Sequence, residues 1–497
     1  MPPLGAPEQP RTIRLPPRDA VHAGTADVLV VGGGPAGLGA AVGAARAGAQ
    51  VILAERHGYL GGNATASLVM PLMSFHNEIR AARARSDGLR LLPDDHGAGE
   101  PVVAGALADL LDRLFRTGGA IPPSPDTGYT VPFDPEFFKL VTLDLLDDYG
   151  VRFLFHSFAS GVVGPDAARG VVFETKSGPL VIEAHTIVDC TGDGDVAAAA
   201  GAQYEVGRDG DGLTQPMTLM FRMVDFDRSR FARYVEEHPA QWRGVHGLWQ
   251  LVAAAEEAGE LDLPREDILF FATPHEREVS VNSTRVSGLG NDVFDLTRAE
   301  WQSRRQMREI DRFLRTHVPG FEEAYNAQSG ATVGVRETRR ICGEYRLTSE
   351  DVLGARAFDD AIARGSYPID IHAPEGKGTV LTRLPLCGAY DIPLRCLLPR
   401  GLRRTLVAGR CISGTHEAHS SYRVTAIAMA TGHAAGVCGA LAARHRSAPR
   451  EVDVREVQRE LLRQGASLRP EIRARLGVDA DAAAAAPGDV RARSAEP

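Results

Sequence analysis

The first strong pattern of hydrophobic positions runs through residues 27–55. Residues 28–31 are all apolar, which is typical of a strand buried on both faces. The alanine-rich stretch at 35–47 is predicted to be a helix, and Gly48 gives it a natural end. Residues 50–54 are apolar again. This order of segments predicts a strand–helix–strand unit.

Further along the chain, apolar runs become shorter and more often alternate with polar positions. The predicted elements of this part are hairpins at 151–156, 169–178 and 180–192, a buried strand at 186–190, strands at 221–225 and 278–286, an amphipathic helix at 297–317, and a buried strand at 404–409.

These elements indicate an α/β domain interrupted by a second domain with a different pattern of apolar and polar positions. The expected parts are an N-terminal arm at 1–24, a nucleotide-binding domain at 25–205 and 390–445, an α+β domain at 206–389, and a C-terminal helix (452–462) with a flexible tail within 446–497.

Length and charge narrow the classes of function. A chain of 497 residues is long for one core, which agrees with two domains. The hydrophobic fraction of 44% and the charged fraction of 24% are ordinary globular values. The formal net charge of −9 argues against a nucleic-acid partner, since nucleic-acid-binding domains are usually basic.

Cysteine usage and the apolar runs bear on location. Six cysteines are scattered without a C-x-x-C pair, which suits a reducing compartment, and the N-terminus lacks the apolar segment of a signal peptide. The apolar run at 426–443 is rich in Ala and Gly, so we interpret it as a buried helix and expect no membrane span. We expect a cytoplasmic protein and leave homo-oligomerisation open.

A glycine motif lies at the first strand–helix junction. Gly32 permits a tight turn, Gly34 lets the backbone approach a pyrophosphate, and Gly37 lets the helix press against the strand. The helix, which starts at Pro35-Ala36, then points its N-terminal amides at the phosphates. Glu55 closes the second strand, where a carboxylate can accept hydrogen bonds from a ribose diol. Together these features predict a dinucleotide site.

Three further features favour FAD over NAD as the dinucleotide. The loop Gly61-Gly62 is followed by Asn63 and small hydroxyl residues, which suits close approach to a second, bulkier part of a cofactor. The turn Thr191-Gly192-Asp193 follows a buried strand. Another buried strand ends in Gly409-Arg410 and is followed by a helix.

Four further stretches carry a more specific resemblance than the glycine motif alone. They are VDCTGDGDVAAAAGA, GVRETRRICGEYRLTSEDV, YPIDIH and VAGRCIS. From about Asp27 to about Leu468 the sequence resembles the FAD-dependent oxidoreductase family, the two-dinucleotide-binding-fold flavoproteins with a glutathione-reductase-like FAD domain. The resemblance implies an α/β fold in which a Rossmann-like FAD-binding domain is interrupted by an α+β substrate domain.

The resemblance also implies roles for particular residues. Glu55 would hold the adenosine ribose, Arg56 would lie on the adenine side, and the backbone at Ala159 would pair with adenine. The remaining implied contacts are Thr191, Gly192 and Asp193 at the pyrophosphate side, Gly409 and Arg410 at the ribityl chain, and Gly62, Asn63 and Thr65 near the flavin.

One position departs from the family pattern. The family often has Asp at the end of the last strand, where this chain has Gly409-Arg410, so contact there would come from the backbone and Arg410. Since Asn63 carries no thiol or imidazole, we expect the FAD to be bound without a covalent link.

The stretch GTHEAHSSYR (414–423) resembles a damaged zinc-protease motif. We predict that it is a loop before a helix capped by Ser420 or Ser421, whose first amides, about Arg423 and Val424, face the flavin pyrimidine ring. A third ligand is not evident, so we expect no metal. His416 and His419 would then either contact substrate as acid or base, or only hold the loop.

Two other clusters point to the substrate side. The charged cluster Arg336, Glu337, Arg339 and Arg340 is either a surface ion-pair lattice or directs Arg336 or Arg340 into the site, towards an anionic or carbonyl oxygen.

The segment YPIDIH places Asp370 and His372 on one face of an extended chain. Such a pair can orient an imidazole as proton acceptor, or the histidine is structural.

The predicted activity is hydride transfer between a small organic substrate and flavin N5, as a dehydrogenase or oxidase. We name His372, His416 and Arg336 as the catalytic residues. The alternatives are a C=C reductase of the fumarate-reductase-like type, in which an arginine acts as acid, and a non-catalytic FAD-binding subunit.

Overall fold

The computed structural model describes residues 3–8, 10–77, 89–95, 99–164, 169–375, 378–385 and 388–478. Within these, seven strands form the first sheet, in the order β3–β2–β1–β6–β5–β4 with β19 also paired to β6. Its strands are β1 (Val21–Val31), β2 (Val51–Ala54), β3 (Arg152–Leu154), β4 (Phe158–Val163), β5 (Gly170–Thr175), β6 (Gly178–Asp189) and β19 (Thr405–Val407).

The second sheet is antiparallel and has the order β13–β8–β12–β11–β10–β9. Its strands are β8 (Phe221–Val224), β9 (Trp242–Arg243), β10 (His246–Gly247), β11 (Ile268–Ala272), β12 (Glu278–Val281) and β13 (Tyr325–Ser329).

Three two-stranded pairs complete the β-structure of the described residues. They are β7 (Tyr204–Val206) with β14 (Arg339–Ile341), β15 (Ala361–Gly365) with β18 (Tyr390–Pro393), and β16 (Ile369–His372) with β17 (Thr379–Thr382).

The α-helices of the described residues surround the two sheets. They are α1 (Pro35–Arg46), α2 (Asn63–Ala66), α3 (Ala106–Arg116), α4 (Pro135–Asp148), α5 (Asp195–Ala199), α6 (Arg228–Glu237), α7 (Trp249–Glu257), α8 (Val293–His317), α9 (Ser349–Leu353), α10 (His416–Tyr422), α11 (Thr425–His445), α12 (Val454–Arg463) and α13 (Pro470–Leu476).

The strand–helix–strand unit predicted at the start of the chain is present as β1, α1 and β2, with β1 parallel to β2. The strand β1 begins at Val21 rather than at residue 28. Its first half pairs with the first half of β6, where Val21 lies beside Leu180. The last four residues of the predicted arm are therefore part of the sheet.

Three other predicted boundaries differ from the structure. The strand predicted at 278–286 ends at Val281, and the helix predicted from 297 begins at Val293, where the Asp292 carboxylate caps the first amides. The C-terminal helix α12 is followed by α13, where we predicted only a tail. Residues 479–497 of that tail lie outside the described residues.

Helices α1 and α11 pack closely because glycines stand where they cross. A Cβ at Gly39 would lie 2.2 Å from the Met429 carbonyl oxygen, and one at Gly436 would lie 2.0 Å from that of Ala40. The two backbones can approach this closely only where both helices carry very small residues. The glycine-and-alanine pattern of α11 thus fixes the position of its N-terminal end.

Helix α11 is also long and apolar enough to cross a membrane, with a mean hydropathy of 1.5 in its best window. However, 89% of that window is buried inside the protein, as in the core helix of a soluble fold.

The second sheet has its own aromatic core. Phe226, Phe231, Trp242, Phe270 and Phe321 contact one another with ring centroids 4.6–6.3 Å apart. Such tilted and edge-on contacts stabilise a hydrophobic cluster that is separate from the core of the first sheet.

Candidate functional site

A cavity of about 670 Å³ lies where the carboxyl ends of β1, β2, β6 and β19 meet. The first sheet contributes Gly32, Glu55, Thr191 and Gly409 to its wall. The second sheet and the hairpin of β16 close the other side. Ligands of open α/β sheets bind at this edge, outside the carboxyl ends of parallel strands.

The glycines of the first turn make a cradle at this edge. Gly32 has φ +98°, and a Cβ there would lie 2.4 Å from the Cys190 carbonyl oxygen. Gly34 and Gly62 face each other, since a Cβ on Gly62 would lie 2.9 Å from Cα of Gly34. Gly34 caps α1 without a side-chain hydrogen bond, so the first amides of the helix remain open to an anion.

Two of the predicted cofactor residues do not line the cavity. Gly37 lies beneath the turn, where a Cβ would be 1.8 Å from the Gly32 carbonyl oxygen. The Thr65 hydroxyl donates to the Leu60 carbonyl at 2.6 Å. Both residues shape the backbone rather than the surface of the cavity.

Glu55 is held rigidly at the end of β2. Its side chain is buried, and its carboxylate accepts hydrogen bonds from the amides of Gly33 (2.6 Å) and His57 (2.8 Å). Each oxygen keeps a lone pair for a further donor. Arg56 and Ala159 line the cavity beside it.

Arg410 and Asp193 form an ion pair across the cavity wall. Asp193 also accepts a hydrogen bond from the Thr338 hydroxyl at 2.7 Å. The arginine that stands where the family often has an acid is thus matched by an acid on the Thr191-Gly192-Asp193 turn. The Nε–H of Arg410 is buried and has no protein partner among the described residues.

Asp189 was not singled out from the sequence. It is fully buried at the end of β6, and burial raises its pKa to about 6. Its carboxylate accepts from the Thr191 amide and hydroxyl and from the Ala197 amide. It therefore fixes the turn that carries Thr191, Gly192 and Asp193. The signal for it was an acid at the end of an otherwise apolar strand.

The stretch GTHEAHSSYR is a helix of its own, which corrects the predicted loop. The Thr415 hydroxyl caps α10 by accepting from the Ala418 amide at 3.2 Å. The chain then breaks at Arg423-Val424, where Val424 is extended, and α11 starts at Thr425. The cap predicted at Ser420 or Ser421 was wrong. Arg423 and Val424 still line the cavity, at the open N-terminus of α11.

His416 lies outside this cavity, contrary to the catalytic role predicted for it. The side chain is buried, and its Nδ1 lies 2.9 Å from Oε1 of Glu337. His419 is fully buried as well, and burial lowers its pKa well below the usual range. Both imidazoles belong to the protein interior.

Within the charged cluster, Glu337 and Arg340 are buried, whereas Arg336 and Arg339 are only partly buried. Arg340 donates to the carbonyls of Gly414 and Gly207 and pairs with Glu337, so it holds the core and does not enter the cavity. Arg336, four residues earlier, does line the cavity. The sequence alone could not separate the two, since both lie in one charged segment.

Arg336 has only neutral partners among the described residues. One of its terminal nitrogens donates to the Pro216 carbonyl and the Thr218 hydroxyl, both at 2.6 Å. Burial and the nearby charge of Arg423 lower the pKa of Arg336, yet a guanidinium remains cationic at neutral pH.

Asp370 and His372 both line the cavity, on the same strand, β16. Nε2 of His372 lies 3.5 Å from Oδ2 of Asp370, whereas Nδ1 lies 3.3 Å from the Thr379 hydroxyl and 3.4 Å from Nη2 of Arg285. Tyr367, which we had not named, donates to Asp370 at 3.0 Å and also lines the cavity. It lies in the YPIDIH stretch already picked out.

Electrostatics fix the charge state of this pair. Burial and the charge of Arg336 lower the pKa of His372 to about 3. Burial acts in the opposite sense on Asp370, but the hydrogen bond from His372 and the charge of Arg423 hold the pKa of that carboxyl well below its usual range. At neutral pH the cavity therefore holds a neutral imidazole beside an ionised carboxylate.

Fold and cavity define a dinucleotide-binding protein built on a Rossmann-like sheet. The family model described as FAD dependent oxidoreductase matches residues 27–461, and the chain belongs to this family. The protein is an oxidoreductase with FAD as its cofactor. A search of curated proteins found no match.

The solved structures to which this chain is distantly similar include the following three enzymes or enzyme-like proteins. A geranylgeranyl bacteriochlorophyll reductase-like protein from Thermoplasma acidophilum is 15% identical (88% of this chain, 82% of that one, TM-score 0.43). The p-nitrophenol 4-monooxygenase from Pseudomonas putida is 11% identical (91% and 92%, TM-score 0.43). A myxobacterial chondrochloren halogenase is 16% identical (88% and 79%, TM-score 0.40).

The cavity fits FAD by its own features. The cradle at Gly34 and Gly62 has no side chains to block a pyrophosphate, and open helix N-termini of α1 and α11 face it from two sides. The buried Nε–H groups of Arg410 and Arg423 have no protein partner among the described residues. A bound anionic cofactor would satisfy such groups. No group of metal-ligating side chains was found in the described part of the chain.

Proposed function

We propose that this enzyme oxidises a small organic substrate at the end of the cavity lined by Arg336, Asp370 and His372. The observation that carries the proposal is that these side chains open into the same cavity as the glycine cradle. Cofactor and substrate would therefore meet in one cavity, and no conformational change would be needed to bring them together.

FAD, when bound, supplies a two-electron acceptor for a hydride from a substrate C–H bond. We propose that Glu55, Arg56 and Ala159 hold its adenosine, and that Gly32, Gly34, Pro35, Ala36 and the Thr191-Gly192-Asp193 turn hold its pyrophosphate. Gly409, Arg410, Gly62 and Asn63 would contact the ribityl chain and flavin, and the open amides at Val424 would stabilise negative charge near the pyrimidine ring.

His372 is the proposed proton acceptor. As the C–H bond breaks, the proton of the adjacent O–H or N–H of the substrate passes to the imidazole. Asp370, ionised and 3.5 Å from Nε2, fixes the ring so that Nδ1 is the accepting nitrogen. The Thr379 hydroxyl and Nη2 of Arg285 now lie against that nitrogen, so the arginine would move aside and the hydroxyl would move or relay the proton.

A second candidate is reduction of an activated C=C bond, with Arg336 as the proton donor. It is favoured by the position of Arg336 in the cavity with a lowered pKa and neutral partners. Membership of an enzyme family argues against the third alternative, a non-catalytic subunit.

Anaerobic mixing separates the two directions. We expect a panel of hydroxy and amino compounds to bleach the oxidised flavin of the holoenzyme. If none bleaches it, while activated alkenes reoxidise the chemically reduced holoenzyme, the enzyme is a reductase and the proposed oxidation is wrong.

We also propose a cytoplasmic location. The five cysteines that the structure describes are all free thiols, which agrees with a reducing compartment.

A further inference from the structure

The substrate end of the cavity carries more positive than negative charge. Arg336 and Arg423 both line it, and each lowers the pKa of His372 by its charge. His372 itself is neutral. Asp370 is the carboxylate that lies close to these arginines, with its Oδ2 3.6 Å from Arg423.

Arg423 is partly neutralised by protein groups. Its Nη2 lies 3.3 Å from the Gln215 side-chain oxygen and from the Asp370 carbonyl, besides the Asp370 carboxylate. Glu300 also reaches the cavity wall, but it pairs with Arg304 and accepts from the Val333 amide. The charge of Glu300 is therefore already balanced by Arg304 and does not offset that of Arg336 or Arg423.

Among the described residues, Arg336 forms no ion pair. Among the described residues, no carboxylate oxygen lies within 4.0 Å of its guanidinium. A partly buried guanidinium that is bonded only to a carbonyl and a hydroxyl has lost water without gaining a counter-ion, and a bound anion would offset that cost. Its planar fork of N–H groups fits a carboxylate with two parallel hydrogen bonds.

The same cavity also has apolar lining. Leu269 and Phe271 of β11 line it, together with Met220, which precedes β8, and Val333. Met220 and Phe271 are buried. A ligand held at Arg336 would place its remaining atoms against this lining, away from water.

We infer that the substrate is a carboxylic acid with an apolar body, whose carboxylate is bound by Arg336 while the body lies against Met220, Leu269 and Phe271. This inference deepens the proposed function and rests on it. The two arginines and one aspartate that line this end leave it with an excess of positive charge, which favours an anionic ligand. The carboxylate would orient the reacting carbon towards His372.

The test uses the FAD-loaded enzyme and two probes of nearly equal shape, benzoate and benzamide. Binding at the cavity is followed through the change in flavin absorption. We expect a saturable change with benzoate, and binding of benzamide that is weaker by about tenfold or more, since a charge-assisted bidentate contact is lost.

The matched variants are Arg336→Met and Arg346→Gln. Arg346 is an arginine ten residues away that pairs with Glu205 outside the cavity. We expect Arg336→Met to raise the dissociation constant for benzoate by about tenfold to a hundredfold and to leave that for benzamide nearly unchanged. Arg346→Gln should bind both as the wild type does.

Equal binding of benzoate and benzamide by the wild type would overturn the inference, whether or not the variants fold. So would an Arg336→Met enzyme that keeps its FAD and binds benzoate normally. If Arg336→Met loses FAD, Arg336→Lys is used instead, because lysine keeps the positive charge but lacks the planar fork of N–H groups. Wild-type affinity of Arg336→Lys for benzoate would contradict bidentate binding.

The outcome is separable from that of the proposed function. If neutral alcohols or amines bleach the flavin and benzoate does not bind, the oxidation stands and the carboxylate inference fails. If benzoate binds through Arg336 but only unsaturated acids react, with reduced enzyme, the inference stands and the oxidation fails.

Discussion

His372 has one nitrogen directed at Asp370 and the other at a hydroxyl, inside a cluster of arginines. This arrangement keeps the imidazole unprotonated over the whole physiological range. A free histidine would titrate near 6.5. The environment therefore keeps the accepting nitrogen unprotonated, but it also makes the imidazole a weaker base.

The pH dependence of kcat/KM tests this residue. The base form of a histidine is present above its pKa, and that of His372 is lowered to about 3. Between pH 5 and 8 we expect no loss of kcat/KM that titrates with this imidazole. An acid limb near pH 6.5 that disappears in His372→Gln would show that His372 titrates normally. The substrate used should not ionise in that range.

The two candidate histidines, His372 and His416, show that sequence alone does not reveal which side chain reaches the cavity. His416 and His372 were both candidate bases in the sequence, His372 because it shares a strand face with Asp370 and His416 because it lies in the turn before the last helix. The partner of His416 is Glu337, 79 residues earlier, and that contact turns the imidazole into the core. Only the tertiary structure decides which histidine reaches the cavity.

At the scale of elements, the helix pair α1 and α11 sets the geometry of the cofactor end. The local pattern predicted β1, α1 and β2, because a buried strand and a glycine turn leave a signature within a few residues. The break between α10 and α11 was not predicted. It depends on the Thr415 cap and on an extended Val424, where the sequence shows no proline or glycine.

A pair of glycine substitutions in α11 tests this packing. A Cβ at Gly436 would lie 2.0 Å from the backbone oxygen of Ala40, whereas one at Gly439 would lie 3.2 Å from a Thr186 methyl. We expect Gly436→Ala to lower the free energy of unfolding by about 3 kcal/mol or more, since backbone cannot move aside easily.

Gly439→Ala is the matched control in the same helix. It gains helix propensity of about 1 kcal/mol and needs only a small shift of a side chain. Its stability, measured by urea unfolding of the holoenzyme, should stay within about 1 kcal/mol of the wild type. Equal stability of the two variants would mean that α1 and α11 are not packed this closely.

At the scale of the whole molecule, buried neutral histidines link stability to pH. Burial lowers the pKa of His433 to about 4, although a hydrogen bond with Gln464 acts in the opposite direction. Between about pH 6.5 and 4 the unfolded chain binds a proton at this site that the folded chain does not. The contribution of His433 to stability is therefore lost as the pH falls through this window.

The matching experiment compares thermal unfolding of the wild type and His433→Gln at pH 7.5 and pH 5. By linkage, a full shift at His433 is worth about 1–2 kcal/mol at pH 5. We expect the variant to lose less stability on acidification than the wild type, by about that amount. An identical loss in both proteins would mean that His433 is not the source.

Sequence patterns alone predicted most residues of the nucleotide-binding side of the cavity but few of those on the substrate side. Asp370 and His372 were found because alternation in a strand puts them on one face. The apolar wall at Met220 and Phe271 was not found, since these residues look like ordinary core of the second sheet. Its role is suggested only by its place in the same cavity as Arg336.

The most direct test of the central claim is the anaerobic rate of flavin reduction by hydroxy or amino acids with apolar side chains. The wild-type holoenzyme should be bleached by at least one such acid and not by its amide. His372→Gln should be slower by about a hundredfold to ten-thousandfold with its FAD retained. Full-rate bleaching of His372→Gln, or bleaching by amides alone, would contradict the account.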